Sequence, residues 1–461
     1  LISAKIFKKY DIRGTADGKT AEITEETAKW IGLGFGTHLQ RNAQQGTVVV
    51  GRDNRRSSYL LAQGLIEGLR QSGCKVINLD MVATPVVYWQ AVKRGNIGGV
   101  MITGSHLPPH LNGFKLCIGG KSLFGTQIQA VRNFIESGDL TYGDGVVTSD
   151  LSSYTKYVDD LVSKIRMKRP LKVVLDAGNG TAGLFAPRLI KGWGHEVIAC
   201  LYCDPDSNFP NHPANPQEAE NMRDLGVKVR EVGADLGIAF DGDVDRMGVV
   251  DENGNMIAAD RVLALLARDL LSRHPRATLV ADVLSSQVLF DEVEKHGGKA
   301  IMWASGHSLI KAKMAETGAL LGGEMSGHIF LGEDYYHFDD GFFAAGRMLQ
   351  VLSNSDQTLS QLDQSLPRLY STPEYRPHCP DEDKINVINN VKTALRGKGE
   401  ITDVDGVRVK FERGWGLLRA SNTEPVLSLR FEGETEADAI AYRDLFAQIL
   451  STYPQVESLH P

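Results

Sequence analysis

The chain has 461 residues, 42% of them hydrophobic and 23% charged, with a net charge of −7 and a pI near 6.0. That is the composition of a globular protein of roughly three or four domains, and it excludes a disordered or collagen-like chain. The acidic balance gives no reason to expect nucleic acid, no run is long enough to cross a bilayer, and an anionic ligand would need a locally basic site.

The opening "LISAKIFKKYDIRG" lacks the apolar stretch and small-residue cleavage site of a signal peptide, so the expectation is a cytoplasmic protein. Within it, "KKYDIRG" offers Tyr10 and Arg13 as scattered polar groups. A weak internal repeat then organises the chain. It runs over Thr47–Leu79, Leu171–Leu201 and Ala277–Trp303, each reading as apolar strand, polar turn, amphipathic helix, glycine-marked stop and second apolar strand. Alternating strands and helices predict parallel or mixed sheets covered on both faces, and three copies predict three related α/β domains.

Between the first two copies lies "MITGSHLPPHLNGFKL", which sets Ser105, His106 and Lys115 on a proline-bearing loop between two apolar runs. The second copy ends in "CLYC". No second ligand pair is visible for zinc and no helix start follows for a redox pair, so Cys200 and Cys203 read as half-buried thiols.

"LGIAFDGDVDRMGVVDENG" follows, an apolar run that bursts into carboxylates. Read as an extended segment, it puts Asp241, Asp243 and Asp245 on one face. Three such charges repel unless a cation sits among them, and oxygen ligands suit Mg²⁺. A calcium loop is set aside, because its sixth position must be glycine and here is Arg246. A strand ending in D-x-D also fits an aspartyl-phosphate phosphatase with Asp241 as nucleophile and "FDDG" at Phe338 as a source of later metal ligands, although that reading leaves Ser105 unexplained.

Further on, "SGH" carries His307, and "GGEMSGHIF" alternates Glu324, Ser326 and His328, a set suited to sugar hydroxyls or merely to a capped tight turn. After about Leu366, "YSTPEYRPHCPDEDK" reads as a linker or domain entry. A helix over Lys384–Leu395, strands through "VRVKFERGWGLLRASNTEPVLSLRFEG" and a helix over Glu436–Leu450 make a smaller α+β domain. In "RASNTEP", Arg419 offers a planar fork to phosphate, with Ser421, Asn422 and Thr423 beside it. A plain hairpin turn is the alternative.

Taken in order, "TGSHLPPHLNGFKL", "DGDVDR", "GEMSGH" and "RASNTEP" resemble the phosphoserine, magnesium, sugar-binding and phosphate-binding loops of the α-D-phosphohexomutases. The methionine in "GEMSGH" resembles the bacterial phosphomannomutase/phosphoglucomutase branch more than the phosphoglucosamine mutases, which remain an alternative. The resemblance implies three related α/β domains with mixed sheets (1–150, 151–254 and 255–365) and a C-terminal α+β domain of TATA-binding-protein-like topology (366–461) around a central cleft. It implies a monomeric enzyme that interconverts hexose 1- and 6-phosphates through phospho-Ser105, with glucose or mannose 1,6-bisphosphate as intermediate and activator.

Residue by residue, it implies Mg²⁺ held by Asp241, Asp243, Asp245 and a Ser105 phosphate oxygen, with Arg246 and His106 beside the phosphoserine. Glu324 and Ser326 take the sugar hydroxyls, and Arg419, Ser421, Asn422 and Thr423 hold the distal phosphate. Tyr10, Arg13, Lys115, His307 and His328 line the cleft, with Lys115 and His328 handling protons. Two positions depart from the family pattern. Leu107 removes a polar brace, which predicts a modest loss of loop order, and Leu284 removes a cation, which predicts weaker binding of one sugar orientation.

Overall fold

The computed structural model describes residues 2–42, 46–421 and 424–459. They form two compact units, one of residues 1–266 and 326–363, the other of residues 267–325 and 364–461.

The first unit contains two mixed sheets. One has the strand order Ile12–Thr15, Leu111–Ile118, Gly98–Ile102, Thr47–Arg52, Lys75–Met81, Val147–Ser149, with Lys121–Ser122 paired to Leu111–Ile118. Its centre is parallel, and Leu111–Ile118 runs back against Gly98–Ile102. Every residue of Gly98–Ile102 is buried, as expected of a strand covered on both faces. The other sheet has the order Met256–Ile257, Met247–Asp251, Leu236–Phe240, Lys172–Asp176, Glu196–Leu201. In the second unit Lys299–Trp303, Thr278–Asp282 and Leu321–Gly323 lie parallel. There too, a five-stranded antiparallel sheet packs an apolar face on the helices Asp381–Ala394 and Glu436–Leu450. The α/β repeats and the distinct C-terminal α+β fold are therefore as expected.

The repeat carries one further device. The first strand of each copy delivers a buried aspartate at its C-terminal end: Asp53, Asp176 and Asp282, each 1% exposed. Asp53 accepts from the Gly104 N–H at 3.1 Å, Asp176 from the Gly178 N–H at 2.8 Å, and Asp282 from the Met325 N–H at 3.3 Å. The carboxylates thus supply acceptors that irregular loop backbone lacks.

Two expectations need correction. Cys200 and Cys203 are joined in a disulfide with a Cα–Cα distance of 5.9 Å, not left as thiols. The segment read as a linker is partly strand, since Tyr370–Ser371 pairs with Leu427–Gly433, and its helix begins at Asp381.

Candidate active site

Ser105 follows the end of Gly98–Ile102, and the chain returns along Leu111–Ile118, which sets Lys115 opposite Met101. The serine is 3% exposed and adopts φ 50°, a conformation that a non-glycine residue holds only when its surroundings fix it. Its N–H donates to Thr103 Oγ1 at 2.8 Å. Its hydroxyl donates to Asp241 Oδ2 at 2.7 Å and lies 3.1 Å from His106 Nδ1.

The loop owes its shape to a residue that the sequence did not single out. Arg55 Nη1 donates to the carbonyls of Pro108 and Leu111 at 2.6 and 3.0 Å, and Nη2 to those of Ser105 and Leu107 at 2.8 and 2.6 Å. The guanidinium is itself held by Asp53 at 3.2 Å and is covered by the Phe209 ring. Arg55 thus braces the segment carrying Leu107 through main-chain carbonyls, without a polar side chain at 107. The available signal was "GRDNRR", a carboxylate two residues before an arginine at the end of an apolar strand.

The aspartates are not extended. Asp241–Asp245 form a tight turn between Leu236–Phe240 and Met247–Asp251, with Val244 at φ 66°. The three carboxylates still converge, each offering an oxygen within 4.8 Å of the others, because the turn curls them inward. Gly242 lets this turn press on the serine loop, since a Cβ there would meet the Ser105 carbonyl oxygen at 2.5 Å. Thr84 donates its N–H to the Asp243 carbonyl at 2.9 Å and its hydroxyl to Asp243 Oδ2 at 2.5 Å, and the Thr181 N–H donates to the Gly242 carbonyl at 3.1 Å.

The electrostatics are those of a cation site. All three aspartates are buried, and burial, then the charges of Asp245 and Asp243, push Asp241 well above the usual carboxylate range. The Lys115 ammonium donates to Asp243 Oδ2 at 2.6 Å and to Asp245 Oδ2. Burial pulls its pKa down, but Asp243 and Asp245 overcome that and hold it well above the normal lysine value. Lys115 therefore carries its charge in this arrangement. Asp243 Oδ1 and Asp245 Oδ1 are buried without a hydrogen-bond partner. Orphaned carboxylate oxygens facing a clustered third carboxylate fit a divalent, oxygen-loving ion.

Arg246 donates its N–H to Asp241 Oδ1 at 3.1 Å and its Nε–H to His328 Nε2 at 3.3 Å. His328 Nδ1 lies 2.9 Å from Ser326 Oγ, and Asp245 Oδ2 lies 3.5 Å from its Nε2, so the ring is held at both nitrogens. Burial first, then the charges of Arg246 and Arg13, hold His106 well below the ordinary histidine value, so its ring is neutral. Arg13 pairs with Asp11 at 2.6 Å, and Tyr10 lies under the Lys9 ammonium.

The second unit carries the other predicted residues. Glu324 accepts from the Gly306 N–H at 2.6 Å, next to His307, which opens the helix His307–Thr317. Arg419 Nε donates to Asp405 at 3.0 Å, and Ser421 Oγ accepts from the Glu424 N–H at 3.2 Å. Asn422 and Thr423 lie outside the described residues. Leu284 packs against Val283, Trp415 and Leu417, and its carbonyl accepts from Arg430 at 2.6 Å.

Family models described as phosphoglucomutase/phosphomannomutase α/β/α domains I, II and III match residues 4–141, 154–254 and 258–370, and the C-terminal domain of that family matches 375–449. A phosphomannomutase/phosphoglucomutase of Pseudomonas putida is 46% identical over 454 residues, covering 98% of this chain and 97% of its own. A phosphoglucomutase of Neisseria gonorrhoeae is 42% identical over 463 residues, covering 99% and 98%. The crystal structure of a phosphoglucomutase/phosphomannomutase family protein of Burkholderia thailandensis superposes with a TM-score of 0.93 at 39% identity, covering 100% of both chains. The chain belongs to the α-D-phosphohexomutase superfamily, in its bacterial phosphomannomutase/phosphoglucomutase branch.

Proposed function

We propose that the protein is a phosphomannomutase/phosphoglucomutase that interconverts hexose 1-phosphates and hexose 6-phosphates through a phosphate carried on Ser105. One observation supports this most strongly: the Ser105 hydroxyl donates at 2.7 Å to a member of a buried aspartate triad. Asp241, Asp243 and Asp245, with an oxygen of the serine phosphate, would hold Mg²⁺, which supplies charge neutralisation at the transferring phosphoryl group.

Ser105 presents its oxygen in a fixed direction because Arg55 and Thr103 hold its backbone. In the first half-reaction the serine Oγ–P bond breaks and a free sugar hydroxyl oxygen takes the phosphoryl group, giving the 1,6-bisphosphate. The hydroxyl proton passes to His328, whose ring Ser326 Oγ holds at Nδ1, as the sugar hydroxyl takes the place of the Arg246 Nε–H at Nε2. Lys115 and Arg246 contribute fixed positive charge where the transferred group gains negative charge. The bisphosphate then turns end for end; its other sugar O–P bond breaks, the phosphoryl group returns to the Ser105 oxygen, and His328 gives its proton to the sugar oxygen set free. His106 Nδ1 lies 3.1 Å from the serine oxygen.

Glu324 takes sugar hydroxyls, with Ser326 beside His328, while Arg419, Ser421, Asn422 and Thr423 grip the non-reacting phosphate in either orientation. Tyr10, Arg13 and His307 complete the contacts with substrate. A hexose 1,6-bisphosphate would charge an unphosphorylated serine and so act as activator. Cytoplasmic location and a monomeric state belong to this reading; among the described residues no helix is long and apolar enough to cross a membrane.

Family membership and the serine's place against the triad both favour this reading over a phosphatase with Asp241 as nucleophile. In that alternative "FDDG" supplied the later metal ligands; Asp339 does lie with Asp245 and His328 in a buried group that could hold an ion, but Asp340 does not. It instead caps the helix Gly341–Ser353, accepting from the Phe343 N–H at 3.0 Å and the Tyr157 hydroxyl at 2.7 Å. The test is a coupled assay of mannose 1-phosphate conversion by wild type and Ser105→Ala. Steady formation of mannose 6-phosphate that disappears in the variant is the expected result, and release of inorganic phosphate by both proteins would refute it.

A further inference from the structure

We propose that Asp405 is a positioning residue that fixes the phosphate-gripping arginine and the sugar-facing loop of the second unit through a single carboxylate oxygen. The inference rests on the mutase reading for what Arg419 and Glu324 bind. Asp405 Oδ2 accepts from Arg419 Nε at 3.0 Å and from the Ser305 N–H at 3.2 Å.

Both partners are built to stay there. Asp405 lies in the turn between the strands Glu400–Thr402 and Val407–Phe411. The next residue, Gly406, has φ 85°, and a Cβ on it would meet the Leu418 carbonyl oxygen at 2.2 Å and Arg419 Cα at 2.7 Å. The turn therefore lies flat against the strand that bears Arg419. Ser305 follows the strand Lys299–Trp303, and its hydroxyl donates to Asp282 Oδ2 at 3.1 Å. Asp282 Oδ1 in turn accepts from the Met325 N–H at 3.3 Å, and the Gly306 N–H donates to Glu324 at 2.6 Å. Three neighbouring parallel strands thus end at one sheet edge and deliver Asp282, Ser305 and Glu324 together, and Asp405 ties that edge to Arg419.

The consequence is geometric. With Nε committed to Asp405, the guanidinium is turned so that its Nη1–Nη2 edge, the edge that matches two phosphate oxygens, has a set direction. The same oxygen holds the turn whose next N–H steadies Glu324. A ligand bearing both a phosphate and sugar hydroxyls needs both settings at once, whereas inorganic phosphate needs only the first.

The experiment measures glucose 6-phosphate and inorganic phosphate binding by calorimetry, and KM and kcat for mannose 1-phosphate, in wild type, Asp405→Ala and Asp405→Asn. Asp405→Ala is expected to weaken glucose 6-phosphate binding about tenfold or more, the scale of a lost hydrogen bond to a charged group. It should weaken inorganic phosphate less, and raise KM with a smaller fall in kcat than Arg419→Ala, because Asp405 acts only through Arg419 and the Ser305 turn. Asp405→Asn keeps one oxygen where both donors meet and should recover most of the glucose 6-phosphate affinity. Unchanged binding in Asp405→Ala, or an Asp405→Asn as weak as the alanine variant, would overturn the proposal. Wild-type protein that neither binds nor converts hexose phosphates would instead refute the mutase reading itself.

Discussion

Arg55 Nη2 and the Ser105 carbonyl oxygen meet at 2.8 Å across fifty residues of sequence, and this contact belongs to a fan of four carbonyl bonds from one buried guanidinium. A cation inside the protein that is paired with Asp53 and also satisfies four loop carbonyls cannot be removed without leaving several buried polar groups unpaired. Arg55→Met should therefore cost about 3–5 kcal/mol of stability, read from urea unfolding. Arg55→Lys keeps a charge for Asp53 but lacks the planar fork. It should retain most of the stability while kcat falls, since the serine loses its fixed direction. Equal kcat in wild type and Arg55→Lys would show that the fan serves folding only.

Lys115 holds the Oδ2 atoms of Asp243 and Asp245, the two carboxylates whose charge a divalent ion would share. Lys115→Met removes that competition and leaves buried carboxylates unpaired. In metal-free buffer the variant should melt below wild type, and Mg²⁺ should raise its Tm more steeply than that of wild type. Parallel Mg²⁺ responses in the two proteins would show that the ammonium and the metal do not compete.

The architecture was legible because the repeat is written in apolar periodicity: strand, helix, strand, three times over. Ser105 and the aspartates were legible because proline-rich and carboxylate-rich bursts interrupt apolar runs. The shape of the aspartate turn was not, because the spacing of Asp241, Asp243 and Asp245 fits an extended strand as well as a curl, and only Val244 at φ 66° decides between them. Arg55 was hidden for a related reason. Its partners are main-chain carbonyls, which carry no sequence signature. The Cys200–Cys203 bond was likewise invisible, since C-x-x-C spacing fits thiols and a disulfide equally.

Arg419 predicts a kinetic signature. Arg419→Ala should raise KM and lower kcat for both 1- and 6-phosphates, because one distal site serves two substrate orientations. A change confined to one of the two substrates would assign Arg419 to a single orientation.

His195 supplies a pH dependence away from the site. Its ring is buried, Nδ1 accepts from the Leu171 N–H at 2.9 Å, and burial pulls its pKa from 6.5 to about 4. The folded value lies below the unfolded one, so the unfolded state binds the extra proton as the solution is acidified. This contribution is complete above pH 6.5 and is lost as pH falls through 4, to a maximum of about 3 kcal/mol. His195→Asn offers a similar acceptor without the titration, and its unfolding free energy should fall less steeply across that window. Parallel curves for the two proteins would assign the acid loss elsewhere.

The central claim is that Ser105 stores the phosphoryl group between the two half-reactions. Incubating the protein with glucose 1,6-bisphosphate labelled in phosphate, quenching, and mapping the label by peptide mass tests it most directly. The account predicts label on Ser105 that survives hydroxylamine and is chased off by unlabelled hexose 1-phosphate. Label on Asp241 that hydroxylamine removes, or none on Ser105 while turnover continues, would contradict it.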